Sequence, residues 1–507
     1  MQTSAEEVQT TTGLKQAIRV NASDTVAVAL RDLSKGERVP VDADPVTLRA
    51  DIPAYHKFSL TPHGEGDPVL RFGEVFARAT EAITPGDHVH THNVRTTLTG
   101  TAEYSFEGVH AVRNAAPDTR NFKGFRRANG RVGTRNEIWV IPTVGCVANV
   151  CEQIARRAER DLSGSVDAVT AFPHVFGCSQ LGDDLGATRQ ILASLAQHPN
   201  AGGILVVGLG CENNQADALL AVAEDIPADR LRVLIAQTSA DEIEEGVAAV
   251  RDLMAIAGAD ERTDCPVSDL VIGLKCGGSD ALSGLTANPL VGDAADWVTG
   301  AGGSAILTEI PEIFGAEHLL MQRAASREVF DAIAALVSSF KQYFIDHDQP
   351  VSENPSPGNK AGGITTLEEK SLGAVQKSGQ AAVTDVLRYA ERVRTPGLTL
   401  LESPGNDAVS STALTAAGAT LILFTTGRGT PLGFPVPTVK ISSNTALAER
   451  KPGWIDFDAG QILSAGGRGD VTGAFLHALV DIASGKQTRN EINGERSIAI
   501  WKRGVTL

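Results

Sequence analysis

The spacing of apolar residues divides the chain near Gly124. Between Ala17 and about Val94, short apolar runs are broken by Asp, Gly and Pro, which predicts a small β-rich module. One stretch of this module, residues 72–83, has a helical pattern and precedes a Pro-Gly turn, so we predict a helix there. Residues 1–13 are polar and are expected to be a disordered lead-in.

From Gly124 onward the pattern becomes strand, glycine-rich turn, helix, which predicts α/β domains with a parallel, doubly wound sheet. The predicted strands lie near residues 137–144, 166–172, 203–208, 232–236, 269–274, 304–309, 419–424 and 437–441. The predicted helices include residues 147–161, 187–197, 215–224 and 240–256. Residues 320–400 have a more helical pattern, interrupted at 352–371 by a segment rich in Gly and Pro that is predicted to be a long loop.

Residues 95–122 follow neither period, and a connection of that length is unusual inside a compact domain. We therefore predict an N-terminal domain over 1–94, a linker over 95–122, a second α/β domain over 123–262 and a C-terminal Rossmann-like domain over 263–507.

Four of the predicted strands are followed by a cysteine at their carboxyl end, in the runs WVIPTVGC, AVTAFPHVFGC, ILVVGLGC and LVIGLKC. The carboxyl ends of parallel strands meet at one edge of a sheet, where ligands bind. One such cysteine would signify little, because a free cysteine is usually a small buried apolar residue. Four at the same position predict a metal-ligand set, Cys146, Cys178, Cys211 and Cys276. Cys151, within a helix, and Cys265, in a polar loop, are expected to be bystanders.

Composition narrows the function classes. The formal net charge of −16 disfavours a nucleic-acid or anionic membrane partner, although it does not exclude an acidic small molecule. We see no signal peptide and no apolar stretch long enough to cross a membrane. Six cysteines in 507 residues form no disulfide framework, so we expect a reduced, cytoplasmic protein whose thiols are available to metals.

Several polar residues at strand ends are candidates for acid–base chemistry. His174 precedes Cys178 in a loop that also holds two carboxylates, and Glu309 stands at the end of another strand. Glu312, one turn further on, is expected to be a surface carboxylate. Arg428, between two glycines, suits a substrate carboxylate because a guanidinium binds it with two hydrogen bonds. Lys275 is a second candidate anchor.

Two glycine-rich loops predict close approach of backbone to a ligand. One of them is not a dinucleotide fingerprint, since the third glycine is replaced by asparagine. The candidate substrate-binding residues in these loops are Glu212, Asn213, Gly277, Gly278, Ser279 and Asp280. Equally, Glu212 and Asn213 could be ordinary residues of a helix start.

Three histidines alternate in the sequence GDHVHTHNV. On a strand, His88, His90 and His92 would face the same way, which resembles a metal site, but such patterns also occur on polar strands without metal. Lys57 is either a substrate-binding residue or a surface residue.

Together these segments resemble the altronate/galactarate dehydratase family. The resemblance rests on RRANGRVGTRNEIWVIPTVGC, HVFGCSQLGDD, LVVGLGCENNQ, LKCGGSDALSGLTANP, LTEIPEIFGAE, NPSPGNKAGG and FTTGRGTP, and it extends from about Ile18 to Leu507. It implies a small N-terminal β-clip (SAF-type) domain followed by Rossmann-like α/β domains. It also implies a lyase that removes water across C2 and C3 of a sugar acid, and a requirement for iron.

The nature of the iron centre is open at this stage: a single Fe²⁺ ion sharing carboxylates or His174, or a [4Fe-4S] cluster on three thiolates. A homodimer with a small-molecule sugar-acid substrate is expected. Two alternatives are a nucleotide-dependent oxidoreductase, against which the absent fingerprint argues, and a sugar-acid sensor without activity.

Overall fold

The computed structural model describes residues 15–42, 44–98, 100, 104–106, 108, 119–224, 226–464 and 468–507. Most of the predicted linker and the N-terminal lead-in lie outside these residues. The N-terminal part consists of short antiparallel strands in three small sheets, ordered β1-β2-β5-β8, β3-β4 and β6-β7-β9. Their bounds are β1 Ala17–Ile18, β2 Val26–Ala29, β3 Arg38–Val41, β4 Asp44–Thr47, β5 Lys57–Ser59, β6 Pro68–Arg71, β7 Glu74–Ala79, β8 His88–Val89 and β9 Val94–Arg95.

The helix predicted over residues 72–83 is wrong, because the segment forms strand β7. Phe72 and Gly73 both have positive φ, 61° and 83°, so they form a tight two-residue turn that pairs β7 with β6. On its other edge β7 pairs with β9, and Phe76 is fully buried in the core. Pairing on both edges therefore outweighs the local helical pattern.

The middle of the chain forms a four-stranded parallel sheet in the order β13-β12-β14-β15. The strands and helices predicted from the sequence here are confirmed, with ends shifted by a few residues. The bounds are β10 Asn121–Arg126, β11 Val132–Gly133, β12 Glu137–Pro142, β13 Val169–Ala171, β14 Ala201–Gly208, β15 Leu231–Ile235, β16 Thr263–Pro266, α1 Ala148–Ala158, α2 Gly182–Ala196, α3 Ala216–Leu220 and α4 Glu242–Ala257.

A small sheet, β11-β10-β16, pairs residues on either side of this parallel sheet along the chain. Cys265 lies in β16 and is fully buried, so its assignment to a polar loop is wrong. The flanking residues are polar, and only the pairing with Phe122 on β10 shows that Cys265 faces the core.

The C-terminal part forms a seven-stranded parallel sheet in the order β19-β20-β18-β17-β21-β22-β23. Strands β19 and β20 fall in the region expected to be more helical. The bounds are β17 Val271–Cys276, β18 Ser304–Leu307, β19 Val383–Leu387, β20 Gly397–Leu401, β21 Leu421–Thr426, β22 Thr438–Ser442, β23 Phe457–Asp458, α5 Ala287–Gly300, α6 Glu317–Met321, α7 Arg327–Asp346, α8 Pro357–Ala361, α9 Leu367–Ala374, α10 Asp407–Ala416, α11 Thr445–Arg450, α12 Arg468–Ala483 and α13 Arg489–Ile492.

The long loop predicted over residues 352–371 is also wrong in part, because it contains α8 and the first half of α9. Ser356 caps α8 with a capping box, and the hydroxyl of Thr366 accepts a hydrogen bond from the Glu369 amide at the start of α9. Every residue of α9 is buried. Residues 357–374, from α8 to α9, therefore form a bridge next to the N-terminal module, and the α9 part of this bridge is buried and packs on β7.

A buried ion triad holds the N-terminal module against α9. The Lys57 ammonium lies 2.8 Å from Glu369 Oε1, and the Arg71 guanidinium contacts the same carboxylate. All three side chains are at most 1% exposed. Neither proposed role for Lys57, in substrate binding or at the surface, matches this position, because its ammonium is occupied by Glu369.

We expect the stability of this contact to depend on pH. Burial alone would raise the pKa of Glu369, but Lys57 and Arg71 outweigh burial and lower it to about 2. Since the unfolded chain binds the extra proton first, the stability from this group is present above about pH 4.5 and is lost as the pH falls toward 2. The loss amounts to about 3 kcal/mol across that window.

Denaturant unfolding at several pH values should therefore show a shallower acid dependence for Glu369→Gln than for the wild type. The variant should also lose about 3–5 kcal/mol at pH 7, because two buried cations lose their partner. Glu261→Gln, at an exposed position, serves as the control and should change neither quantity. Equal acid slopes for the wild type and Glu369→Gln would contradict this account of the triad.

No described helix is both long enough and apolar enough to cross a membrane.

Candidate functional site

A cluster of buried charged side chains lies at the carboxyl ends of β17 and β18. Strand β17 ends with Lys275 and Cys276, and Glu309 follows β18 in a left-handed backbone conformation with φ 67°. A non-glycine residue in the left-handed conformation is strained, and strained residues are common at functional sites. The side chains of Lys275 and Glu309 are completely buried.

The ammonium groups in this cluster have well-defined partners. Lys275 Nζ contacts the Glu309 carboxylate and lies 2.8 Å from Asp407 Oδ1. Lys377 Nζ lies 2.8 Å from Cys276 Sγ and 3.0 Å from Glu309 Oε2. Beside them, Lys370 Nζ donates to Glu312 Oε1 at 2.8 Å. Asp407, with a side chain 35% exposed, connects the cluster to solvent.

The electrostatics fix the protonation states of the cluster. Burial alone would lower the pKa of Lys275, but Glu309 and Asp407 outweigh burial and raise it, so Lys275 stays cationic. The pKa of Lys377 is raised in the same way against burial, by the carboxylates of Glu309 and Glu312. Burial, reinforced by Glu309, raises the pKa of the Cys276 thiol to about 12, so this thiol is neutral at physiological pH.

Three potential metal ligands meet here. Among the described residues, Cys276, Glu309 and Glu312 are the one group of at least three such side chains whose donor atoms all lie within 4.8 Å of one another, and the group could hold a metal ion. Against this, the carboxylates already face ammonium groups. Three lysines balance three carboxylates, which leaves no net negative charge to attract a further cation.

The predicted loop from Gly277 to Asp280 adjoins this cluster, but its members differ in position. A Cβ on Gly277 would lie 2.7 Å from Asp407 Oδ2, so glycine here allows Asp407 to reach Lys275. Gly278, with φ 62°, accepts hydrogen bonds at its carbonyl from the backbone of the loop that carries Arg428. Arg428 is exposed, and no described side chain forms an ion pair with it.

Ser279 and Asp280 have structural partners instead. The Ser279 carbonyl accepts from Asn359 Nδ2 at 2.8 Å, and the buried Asp280 carboxylate accepts from Ser283, Ser443 and Asn444. These hydrogen bonds tie three loops together. Because the Asp280 acceptors are already used, this residue is better suited to holding the loops than to binding substrate.

The other three strand-end cysteines lie on the four-stranded sheet. Cys146, Cys178 and Cys211 follow β12, β13 and β14, which are adjacent parallel strands. Pro142 pairs with Val207, so Cys146 and Cys211 each stand four residues beyond a paired position. All three thiols are exposed, although free cysteines are usually buried. The structure thus gathers three of the four predicted cysteines at one edge and places Cys276 on the other sheet.

The loops that carry these cysteines are hydrogen-bonded to one another. The Gly145 amide donates to the Phe176 carbonyl and the Asn214 amide donates to the Gly177 carbonyl, both at 2.9 Å. Gly177 has φ 102°, and a Cβ there would lie 2.1 Å from the Thr143 carbonyl oxygen. The repeated Gly-Cys pairs therefore reflect a close approach of neighbouring loops.

His174, Glu212 and Asn213 shape this edge. His174 Nε2 lies 2.8 Å from the Pro142 carbonyl and Nδ1 accepts from the Phe176 amide, so neither ring nitrogen is available as a base. Burial lowers the pKa of His174 and favours this neutral form. The Glu212 carboxylate accepts from the Thr143 hydroxyl and from its own loop, and Asn213 accepts from the Ser179 amide.

Sequence reasoning missed several members of the buried cluster. Glu312 is 5% exposed, so its assignment to the surface is wrong. Lys370 lies in the segment predicted to be a loop, and Lys377 had no motif around it. Asp407 ends a PGND sequence between β20 and α10. These charged residues are distant in sequence, and the tertiary structure brings them together: Lys370 lies in α9, Lys377 in the following turn that packs on β17 and β18, and Asp407 at the start of α10.

Family models match three successive parts of the chain. The altronate/galactarate dehydratase SAF domain matches residues 15–97, the D-galactarate dehydratase/altronate hydrolase second domain matches 124–258, and the D-galactarate/altronate dehydratase C-terminal domain matches 267–506. The chain therefore belongs to the D-galactarate/altronate dehydratase family. The expected α/β architecture with a small N-terminal SAF-type domain is confirmed.

Individual relatives match over nearly the whole length. The altronate dehydratase of Bacillus subtilis (strain 168) is 48% identical, and that of Escherichia coli (strain K12) is 49% identical, each over 97% of this chain and 100% of the relative. The galactarate dehydratase (L-threo-forming) of Escherichia coli (strain K12) is 34% identical over 93% of both chains.

Proposed function

We propose that this protein is a hydro-lyase that dehydrates D-altronate to 2-keto-3-deoxy-D-gluconate in hexuronate catabolism. The observation that carries the proposal is the identity of 48–49% to two altronate dehydratases over 97% of the chain. The identity to the galactarate dehydratase is lower, at 34%, which supports altronate as the first substrate to test.

Dehydration of a 2,3-dihydroxy acid needs a base for the C2 proton and assistance for the leaving C3 hydroxyl. In our proposal Glu309 accepts the C2 proton, since His174 has no free ring nitrogen. The C3–O bond then breaks, the leaving hydroxide takes the proton that Glu309 accepted and departs as water, and the enol product tautomerises to the keto acid. Fixed positive charges on Lys275 and Lys377 stabilise the negative charge that develops on the substrate carboxylate.

Arg428 is the proposed partner of the substrate carboxylate. It is exposed, and its backbone amide donates to the Gly278 carbonyl, so it stands beside the loop next to Asp407 and Lys275. A guanidinium binds a carboxylate with two parallel hydrogen bonds, which would orient C2 of the sugar acid.

We also propose that iron is bound by the three exposed thiols, Cys146, Cys178 and Cys211. The donor chemistry fits, since thiolates are the ligands of iron–sulfur clusters. The sulfurs of these three cysteines are not all within 4.8 Å of one another. Iron held by these three thiolates would supply Lewis-acid chemistry at this edge of the four-stranded sheet. Cys276 is left out of this set because Lys377 donates to its sulfur.

The decisive assay uses the full-length protein, purified anaerobically with ferrous iron, and a panel of aldonic and aldaric acids. We expect a keto acid to form from D-altronate with the highest kcat/KM. A preference for galactarate or another hydroxy acid would reassign the substrate within the family, and no turnover of any sugar acid would favour a sensor.

The six free thiols support a reduced compartment, and we propose the cytoplasm. The homodimer remains a prediction.

A further inference from the structure

Four histidines gather where the N-terminal module meets the bridge of residues 357–374. His56 precedes β5 and His88 begins β8, and these strands pair side by side. His90 and His92 follow β8 in a turn, so they are not on a strand as the alternating pattern suggested. Ring centroids of neighbouring imidazoles nevertheless lie 4.8–5.5 Å apart.

The hydrogen bonds define which ring nitrogens carry protons. His56 Nε2 faces the Ala361 carbonyl at 3.4 Å, and His90 Nε2 faces the Lys360 carbonyl at 3.1 Å. A carbonyl only accepts, so both Nε2 atoms carry the hydrogen; the lone pair of His56 Nδ1 then faces His88, and that of His90 Nδ1 accepts from the Thr91 hydroxyl at 3.1 Å. Metal-binding histidines have this arrangement, with the second nitrogen donating to a backbone carbonyl.

The spacing of two nitrogens also matches a metal site. His56 Nδ1 and His88 Nε2 are 3.0 Å apart, so a shared proton occupies the position that a cation would take. Two nitrogens bound tetrahedrally at 2.0–2.1 Å from a zinc ion lie about 3.3 Å apart. The turn that carries the next two histidines is held by buried Asn93, which donates to the His88 carbonyl and accepts from the His90 amide.

We propose that this imidazole cluster is a binding site for one divalent transition-metal ion, distinct from the cysteine edge and from the Lys275–Glu309 cluster. Imidazole nitrogens suit zinc, cobalt and iron ions. His56 and His88 supply the first two ligands; the donor atoms of no three of these histidines lie within 4.8 Å of one another, so binding of an ion requires the His90 and His92 rings to turn. The proposed ligands are His56, His88, His90 and His92.

Occupancy of this site would strengthen the contact between the N-terminal module and the bridge. The carbonyls that orient the ligands belong to residues 360 and 361 at the end of α8, and the same bridge carries Lys370, which donates to Glu312. The site therefore lies at the junction that supports the Lys275–Glu309 cluster. The proposal of this site does not depend on which substrate the protein takes.

Cobalt(II) titration of the chelator-treated full-length protein tests the proposal, because its visible absorption reports the ligand type. We expect one Co²⁺ per chain with the spectrum of nitrogen ligands, displaced by Zn²⁺, and at least tenfold weaker binding in His88→Ala and in His92→Ala. His92 is exposed, so that variant should fold normally. His477→Ala, an exposed histidine in α12, is the matched control and should bind as the wild type does.

Unchanged affinity in both histidine variants would overturn the proposal. So would a sulfur-to-cobalt charge-transfer band that disappears in Cys178→Ala, since the ion would then be at the cysteine edge. Loss of sugar-acid turnover with intact Co²⁺ binding would affect the proposed function and leave this site standing.

Discussion

Glu309→Gln is expected to lower kcat at least a hundredfold and to reduce the free energy of unfolding by about 3–5 kcal/mol. Glutamine keeps the size of the side chain and removes its charge. The amide can no longer take the C2 proton, and Lys275 and Lys377 lose a common partner inside a fully buried cluster. Steady-state kinetics with D-altronate and denaturant unfolding measure the two effects separately.

Glu137→Gln provides the matched control. Glu137 is equally buried and pairs with Arg496 Nη1 at 2.6 Å, but it stands at the amino end of β12, opposite the edge where the cysteines lie. It should lose comparable stability while its kcat stays within about twofold of the wild type, since folded molecules keep the whole cluster. A Glu309→Gln enzyme with near-normal kcat would exclude Glu309 as the base. Equal loss of kcat in both variants would show that general destabilisation explains the effect.

Cys178→Ala is expected to lose most of the bound iron and acid-labile sulfide. As a consequence, kcat should fall at least a hundredfold. The substitution deletes one of three thiols that the loops of β12, β13 and β14 hold at a single edge. A cluster with two protein ligands is exposed to solvent and to oxygen. The absorption of a [4Fe-4S] cluster in anaerobic protein, together with iron and sulfide analysis, measures the loss independently of activity.

Cys151→Ala is the control for this prediction, because Cys151 is fully buried in α1, which packs on the same sheet. It should cost stability by creating a small cavity and leave iron content unchanged. Full iron content and turnover in Cys178→Ala would end the proposal that the exposed thiols bind iron. Retained turnover without iron would show that the metal is dispensable for dehydration.

The central part of the fold could be predicted from the sequence because its signals are local. Long apolar runs such as ILVVG of β14, followed by glycine and a helical pattern, identify buried parallel strands wherever they occur. The short N-terminal strands and β19 and β20 carry weaker signals. Strand β7 forms because it pairs on both edges. The helical spacing of residues 72–83 does not reveal this pairing.

The residues of the candidate site were likewise predictable from the sequence only in part. Sequence position alone selected Lys275, Glu309, Arg428 and the cysteines, because a residue directly after a buried parallel strand must lie at the ligand-binding edge. It could not select Lys370 or Lys377, whose partners are residues 58 and 68 positions away along the chain. It also could not foresee that the backbone occupies both nitrogens of His174.

The sequence by itself determined the order of strands and helices around the four-stranded sheet, the strand-end position of four cysteines and the family. The tertiary structure decided how those cysteines are distributed. Three lie exposed on adjacent strands of one sheet, and Cys276 lies buried on another sheet among lysines and carboxylates. The physical reason is that a strand-end pattern specifies a local environment, whereas the sheet to which a strand belongs depends on pairing between residues far apart in the chain.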